Sequence, residues 1–307
     1  MKRLFLPIAF LILLILASCG RAAPEESSAE LAPLSIGILP DVPSIPFVVG
    51  VQQGFFGDNV NIELFTSAAA RETYMHAGGL DASTASILTV VQQIYADIDV
   101  VMLSGATGNW GIITHANSGI TTPEELQNVD IGLSLNTIIE FAVDMIVEAS
   151  GGDTALVEKV PIPTIPSRIE LLDHGQIHAV AVPEPWIAVG TAMGHIPVAT
   201  TADLGINAGA LSFTREAAET KLEEIRAFYE SYNRAVEFIN NTDPGEFMGY
   251  VIEYMGFPPE AAYIVLPVFD PFQLPTREDV ERSVNWLLDK ELISRSFTFE
   301  EITMEIN

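Results

Sequence analysis

The sequence predicts an α/β protein of two lobes, each lobe built on a doubly wound, parallel sheet. Three observations carry this reading. From Leu34 onward, short apolar runs alternate with amphipathic runs, the βαβα rhythm that lays helices on both faces of a parallel sheet. Helix-start signals recur behind the apolar runs: Thr122-Pro-Glu-Glu125, Thr137-Ile-Ile-Glu140 and Ser167-Arg-Ile-Glu170 each have capping-box form. The 307 residues, 49% of them hydrophobic, are enough to fill two cores.

Taken in order, the chain opens with Lys2 and Arg3, then an apolar run from Leu4 to Ala17. That run has signal-peptide length and is short for a membrane span. Leu16-Ala17-Ser18-Cys19 resembles a bacterial lipobox and contains the chain's only Cys. The resemblance implies a lipoprotein signal peptide over residues 1–18 and a lipid thioether on Cys19, which removes that sulfur from redox or nucleophilic work. Small, polar, Pro-containing residues up to position 33 read as a flexible tether.

Strands are expected at Leu34–Leu39, Val60–Phe65, Leu80–Ser83 and Asp99–Ser104. Helices are expected at Val48–Phe56, from Ser67 to about Ala77, and from about Ala85 to Tyr95. A second unit repeats the pattern with strands Ile131–Ser134, Val160–Ile162 and Ala179–Val182. The last third reads as helical. Arg215–Asn240 places Leu222, Ile225, Phe228, Tyr229, Tyr232, Val236 and Ile239 at near-helical spacing, and Thr276–Leu288 forms a final amphipathic helix.

Charge and motifs narrow the function. A net charge of −27 argues against nucleic acid and against electrostatic docking on anionic lipid. One Cys excludes a disulfide framework and a multi-thiolate zinc site. His174 and His178 have i,i+4 spacing, but Gly175 follows His174 and a strand begins near His178, so no metal site is expected. No nucleophile elbow, P-loop or HExxH motif occurs, so no catalytic residue and no cofactor are expected.

Five stretches then fall in order: Gly50–Phe56, His76–Asp81, Gly119–Val129, Asp173–Pro185 and Asn285–Ile293. Together they resemble the extracytoplasmic substrate-binding proteins of ABC importers, in the NMT1/THI5-like branch that includes nitrate, sulfonate and taurine binders. A helix ending in "aGqiDa" occurs twice in that branch. Here the copies are Ala77-Gly-Gly-Leu-Asp-Ala82 and His174-Gly-Gln-Ile-His-Ala179, the second with His178 in the Asp position.

The resemblance implies a two-lobed, periplasmic-binding-protein-like fold of type II with a hinge and an inter-lobe cleft. Lobe one would be residues 34–111 plus 214–307 and lobe two residues 112–213, with crossings near Gly111–His115 and Leu211–Thr214. It implies a monomer, lipid-anchored on the extracytoplasmic side, that delivers a small solute to an ABC permease and its ATPase. Two alternatives stand beside it: an enzyme resembling thiamine-pyrimidine synthase, and a ligand receptor for a membrane sensor.

In such sheets, ligands sit beyond the carboxyl ends of the strands, where helix N-termini point their free N–H groups. The candidates by position are Asp41 and Ser44, Ser67 and Ala68, Ser83 and Thr84, Thr107 and Trp110, Asn136 and Thr137, and Glu184 and Trp186. Ser67, Ser83 and Thr137 double as N-caps in this reading. Trp110 and Trp186 are placed in loops, where an aromatic can stack on a planar ligand. Trp286 is assigned to the core. Arg71 is the only basic residue in a candidate loop-helix region, and Arg168 opens a lobe-two helix. Their scarcity points to a planar heteroaromatic vitamin or pyrimidine precursor, otherwise a sulfonate or nitrate-type solute.

Overall fold

The apolar runs form two five-stranded sheets in a computed structural model that describes residues 31–306. The expected signal peptide, Cys19 and most of the expected tether lie outside the described residues. Among those described, no helix is long and apolar enough to cross a membrane.

The first part of the chain gives β1 (Leu34–Ile38), α1 (Ile45–Gln52), β2 (Val60–Leu64), α2 (Ala68–His76), β3 (Ala82–Ser86), α3 (Ile87–Tyr95) and β4 (Val100–Ala106). The middle gives β5 (Trp110–Thr114), β6 (Asp130–Leu133), α4 (Ile138–Ala149), β7 (Glu158–Pro161), α5 (Ile165–Asp173), β8 (Ala179–Pro183), α6 (Trp186–Ala192) and β9 (Ile196–Thr200). The chain then returns through β10 (Gly209–Thr214) to α7 (Arg215–Thr220), α8 (Leu222–Asn241), α9 (Met248–Met255), α10 (Arg277–Asp289) and α11 (Phe299–Ile302).

The strand orders are β2-β1-β3-β10-β4 and β7-β6-β8-β5-β9. The sheets share one topology, with one strand traded between the two halves of the chain. The expectation of purely parallel sheets fails at the traded strands: β10 runs antiparallel to β3 and β4, and β5 runs antiparallel to β8 and β9. Each enters from the other sheet at the carboxyl edge with no crossover helix, so it can only run backwards.

The sheets are joined by Thr107–Asn109 and by residues 201–208. Gly111 therefore already lies in β5, and Leu211–Thr214 lie in β10; the crossings expected there fall earlier in the chain. Gly209 sits opposite Ala106, where an added Cβ would meet the Ala106 carbonyl oxygen at 2.1 Å. Gly209→Ala is expected to prise β10 from β4 and cost about 3 kcal/mol in urea denaturation. An unchanged midpoint would contradict this pairing.

Helix boundaries follow caps more closely than apolar spacing. Helix α1 starts earlier than expected because Pro46 fits its first turn, and it ends before Gly54, whose φ is +66°. Helix α3 starts at Ile87, capped by Ser86, which accepts the Thr89 N–H at 3.1 Å. Ser83 is therefore not a cap; it and Thr84 lie inside β3. Helix α5 starts at Ile165 after Thr164, so Ser167 sits within the first turn instead of before it. The Thr122–Glu125 capping box forms as expected. Lys221 leaves helical geometry and divides the expected long helix into α7 and α8.

Four apolar clusters cover the four sheet faces. The largest puts Leu34, Ile36 and Phe213 under α1, α8 and α9, with Phe47 and Phe228 stacked at 5.9 Å. The opposite face packs α3 and α10 through Leu88, Val91, Val284 and Leu287. In the second sheet, α4 covers one face, while α5 and α6 cover the other.

Candidate functional site

The carboxyl ends of β1–β3 and of β6–β8 face each other. The Val42 N–H after β1 donates to the Glu184 carbonyl after β8 at 3.3 Å. From α3, the Gln92 side-chain amide donates to the Asn136 carbonyl at 3.4 Å.

On the first side, Asp41 accepts the Ser44 hydroxyl at 2.8 Å. Burial pushes the Asp41 carboxyl up to about 6, against the opposing pull of the Ser44 hydroxyl and the Arg71 guanidinium. Ser67 caps α2, accepting the Ala70 N–H at 3.2 Å, and both Ser67 and Ala68 are exposed. Thr84 is not a loop residue; its hydroxyl receives the Arg71 guanidinium at 3.1 Å. Ser83 turns into the core and donates to the Met75 sulfur at 3.3 Å.

On the second side, Thr137 caps α4, accepting the Ile139 N–H at 3.2 Å. Asn136 adopts a left-handed φ of +60° and gives its N–H to Glu140 at 2.6 Å. Glu184 turns its carboxylate back onto its own helix, accepting the Ala188 N–H at 3.1 Å, and burial raises its pKa. That carboxylate also edges a cavity of about 670 Å³ beside α6, lined by Ile187, Thr200, Tyr263 and Val265.

Both loop tryptophans move. Trp110 opens β5 and is only 6% exposed, packed in the core beneath α4. Trp186 opens α6 and is half-buried. Its ring stands edge-on to Phe257 at 6.4 Å, between the α1/α8 core and the α5/α6 core. Trp110 is thus enclosed in the core, while Trp186 is partly covered by packing. Trp286 is core as expected, its indole N–H bound to Asp144 at 2.9 Å. Thr107 sits in the Thr107–Asn109 connection between the sheets, bound to Asp270, whose N–H reaches its hydroxyl at 3.1 Å.

The residue that the spacing argument undervalued is Arg168, which is 1% exposed beneath the ends of β6, β7 and β8. It donates to the carbonyls of Ile162 at 2.7 Å, Ala181 at 2.9 Å and Pro163 at 3.3 Å, and to the Ser134 hydroxyl. All four partners are neutral, and among the described residues no carboxylate pairs with it. Burial lowers its pKa to about 10, so it stays charged at neutral pH. A usable signal existed: Arg168 lies four residues before Leu172 on the buried stripe of α5, an odd place for Arg.

Arg71 occupies the matching place in the first sheet and is 3% exposed. Arg71 follows its N-cap Ser67 by four residues, as Arg168 follows Thr164. Gly78 and Gly175 follow each arginine by seven. Both glycines have positive φ, +82° and +63°, which ends α2 and α5 and starts β3 and β8. The two "aGqiDa" copies are thus helix stops. Asp81 accepts the Ser35 N–H from β1 at 2.9 Å. In the second copy, His178 bonds Asp130 of β6, so the acid has changed strands and its link across the sheet is kept. Two buried arginines therefore stand in equivalent positions, one on each side of the cleft.

Among curated protein sequences, none matches this chain. The model of the NMT1-like family matches residues 27–248. Among solved structures, the alkanesulfonate-binding protein SsuA from Xanthomonas axonopodis pv. citri, bound to MOPS, is 16% identical with a TM-score of 0.76, covering 91% of this chain and 100% of that one. The periplasmic aliphatic sulphonate binding protein SsuA from Escherichia coli is 13% identical with a TM-score of 0.77, covering 90% and 92%. The desulfurization enzyme DSZB is 14% identical with a TM-score of 0.66, covering 89% and 96%. At these identities the likeness shows the fold, which is the two-lobed periplasmic-binding-protein architecture.

Proposed function

From the chain's membership of the NMT1-like family, and from the cleft geometry, we propose an extracytoplasmic solute-binding protein of an ABC importer that takes a small organic oxyanion of the sulfonate class. The carrying observation is Arg168, a buried cation with neutral partners only, placed under the strand ends beside the N-terminus of α4. An anion arriving there gains a charge that no carboxylate has already cancelled. The planar-ring alternative loses support because Trp110 and Trp186 are engaged in packing.

The solute would touch both lobes and so stabilise the closed arrangement, which a permease and its ATPase would read. The lipid anchor on Cys19 and the monomeric state belong to the same proposal. The boundaries would be a first lobe up to Thr107–Asn109 and again from β10, with the second lobe between. The enzyme reading has DSZB among its structural relatives; the two SsuA structures with higher TM-scores carry sulfonate-binding titles.

The test is a melting screen against alkanesulfonates, taurine, nitrate, pyrimidine precursors and amino acids. A ligand at 100 times its Kd adds about 2.7 kcal/mol of stability. Shifts confined to oxyanions support the proposal; shifts confined to rings or amino acids overturn the solute class.

Asp41 adds a pH dependence. Its folded pKa lies above the ordinary value, so the folded protein binds the extra proton between pH 3.8 and about 6. The contribution of this group to stability is full below 3.8 and is lost as pH rises through about 6. A simple alkanesulfonate should therefore bind more tightly at pH 5 than at pH 8 in calorimetric titrations, and Asp41→Asn should flatten the difference. The opposite slope would mean that Asp41 takes a cationic group of the solute.

A further inference from the structure

We infer that Glu140 is a positioning residue for the cleft loop Ser134–Thr137, held in place jointly by the two lobes through Lys159 and Lys290. The inference rests on the proposed solute site only for its affinity consequence; the geometry stands without it.

Asn136 is in left-handed backbone at φ +60°, which asparagine tolerates better than most non-glycine residues but which leaves its N–H in need of a partner. That partner is one carboxylate oxygen of Glu140, at 2.6 Å from the Asn136 N–H. The other oxygen of Glu140 takes Lys159 Nζ at 2.8 Å and Lys290 Nζ at 3.2 Å. Lys159 belongs to β7 of the same sheet. Lys290 follows α10, which packs on the first sheet. Both lysines also reach Asp144, at 2.5 and 2.8 Å, so two carboxylates and two ammonium groups form a closed set around α4.

The capping box read from Thr137-Ile-Ile-Glu140 is therefore altered: Glu140 binds the residue before the cap. A helix end alone would need only the Thr137 N–H covered. Reaching to Asn136 instead fixes the turn that leads into the α4 N-terminus. Gln92 from α3 binds the same residue's carbonyl, so the first lobe holds the loop directly through Gln92 and holds Glu140 through Lys290.

The test measures amide exchange of residues 135–137 in the unliganded protein, with β6 amides as an internal standard. Glu140→Ala should speed exchange at Asn136 by about tenfold or more, the loss of a charge-assisted hydrogen bond, with β6 unchanged. Glu140→Gln, which keeps an oxygen acceptor, should recover part of the protection. Lys290→Met should speed the same amides in the wild-type background and add nothing in the Glu140→Ala background. Sulfonate affinity should fall in step with loop exchange. Unchanged exchange at Asn136 in Glu140→Ala, or a Lys290→Met effect that is the same in both backgrounds, overturns the inference. If the wild type binds no sulfonate, the exchange arm still decides this inference while the solute proposal fails separately.

Discussion

Arg168→Met is expected to abolish sulfonate binding and to loosen the second lobe. The side chain is buried and supplies donors to three carbonyls and one hydroxyl at the ends of three strands. Methionine fills much of the volume but donates nothing, so the oxygens of Ile162, Pro163, Ala181 and Ser134 lose a charged partner. Removing such a donor costs about 3 kcal/mol or more, which for a chain of this size is roughly 6 °C or more in Tm. Binding should fall at least about thirtyfold through loss of the charge alone. Arg168→Lys separates the two roles. It keeps the charge but replaces a planar fork with a point donor, so it should regain part of the affinity while leaving the fold loosened. A variant of Arg168→Met with wild-type affinity would remove Arg168 from the site.

The second large effect is expected at Asp144, a buried carboxylate of α4. It receives Lys159 at 2.5 Å, Lys290 at 2.8 Å and the Trp286 indole N–H at 2.9 Å. Asp144→Ala leaves two ammonium groups sharing Glu140 alone and strands a buried indole N–H. Breaking a buried charge cluster by removing one partner costs about 3–5 kcal/mol. The damage falls between lobes, because α4 and α10 lie on different sheets and Phe141 meets Trp286 edge to face at 5.8 Å. Asp144→Asn keeps an acceptor for the indole and should lose less in thermal denaturation. Equal losses for Ala and Asn would mean that the ion pairs contribute all of the effect.

Much of the fold was legible because short apolar runs bounded by caps are local signals. β1, β2, β6 and β8, the Ser67 and Thr137 caps, and the final helix expected at Thr276–Leu288 fall within a residue or two of their expected places. The traded strands were not legible. Trp110–Thr114 follows β4 after only three residues with no helix between, and Gly209–Thr214 mixes small and polar residues. Their strand character comes from distant partners: β5 pairs with Ala179–Pro183 and Ile196–Thr200, and β10 with Ala82–Ser86 and Val100–Ala106.

The site divides the same way. Ser67 and Thr137 fall at helix N-caps as read, because a cap is a neighbour effect. Trp110 was misplaced because a loop between two apolar runs cannot be told from a strand start without its pairing to Pro183. Arg168 was undervalued because scarcity of basic residues says nothing about where they are buried. Arg71 and Arg168 both lie buried at strand ends, but Arg71 is paired with Glu72 at 2.7 Å while Arg168 has neutral partners only.

The central claim is that one solute is held by both lobes at the facing strand ends. Hydrogen exchange with and without saturating ethanesulfonate tests it most directly. The account expects added protection at both ends together, over residues 41–44 and 67–71 on one side and 134–137 and 164–168 on the other. Protection confined to one lobe, or centred on the cavity between α4 and α10 that Glu148 and Arg282 line, would contradict it.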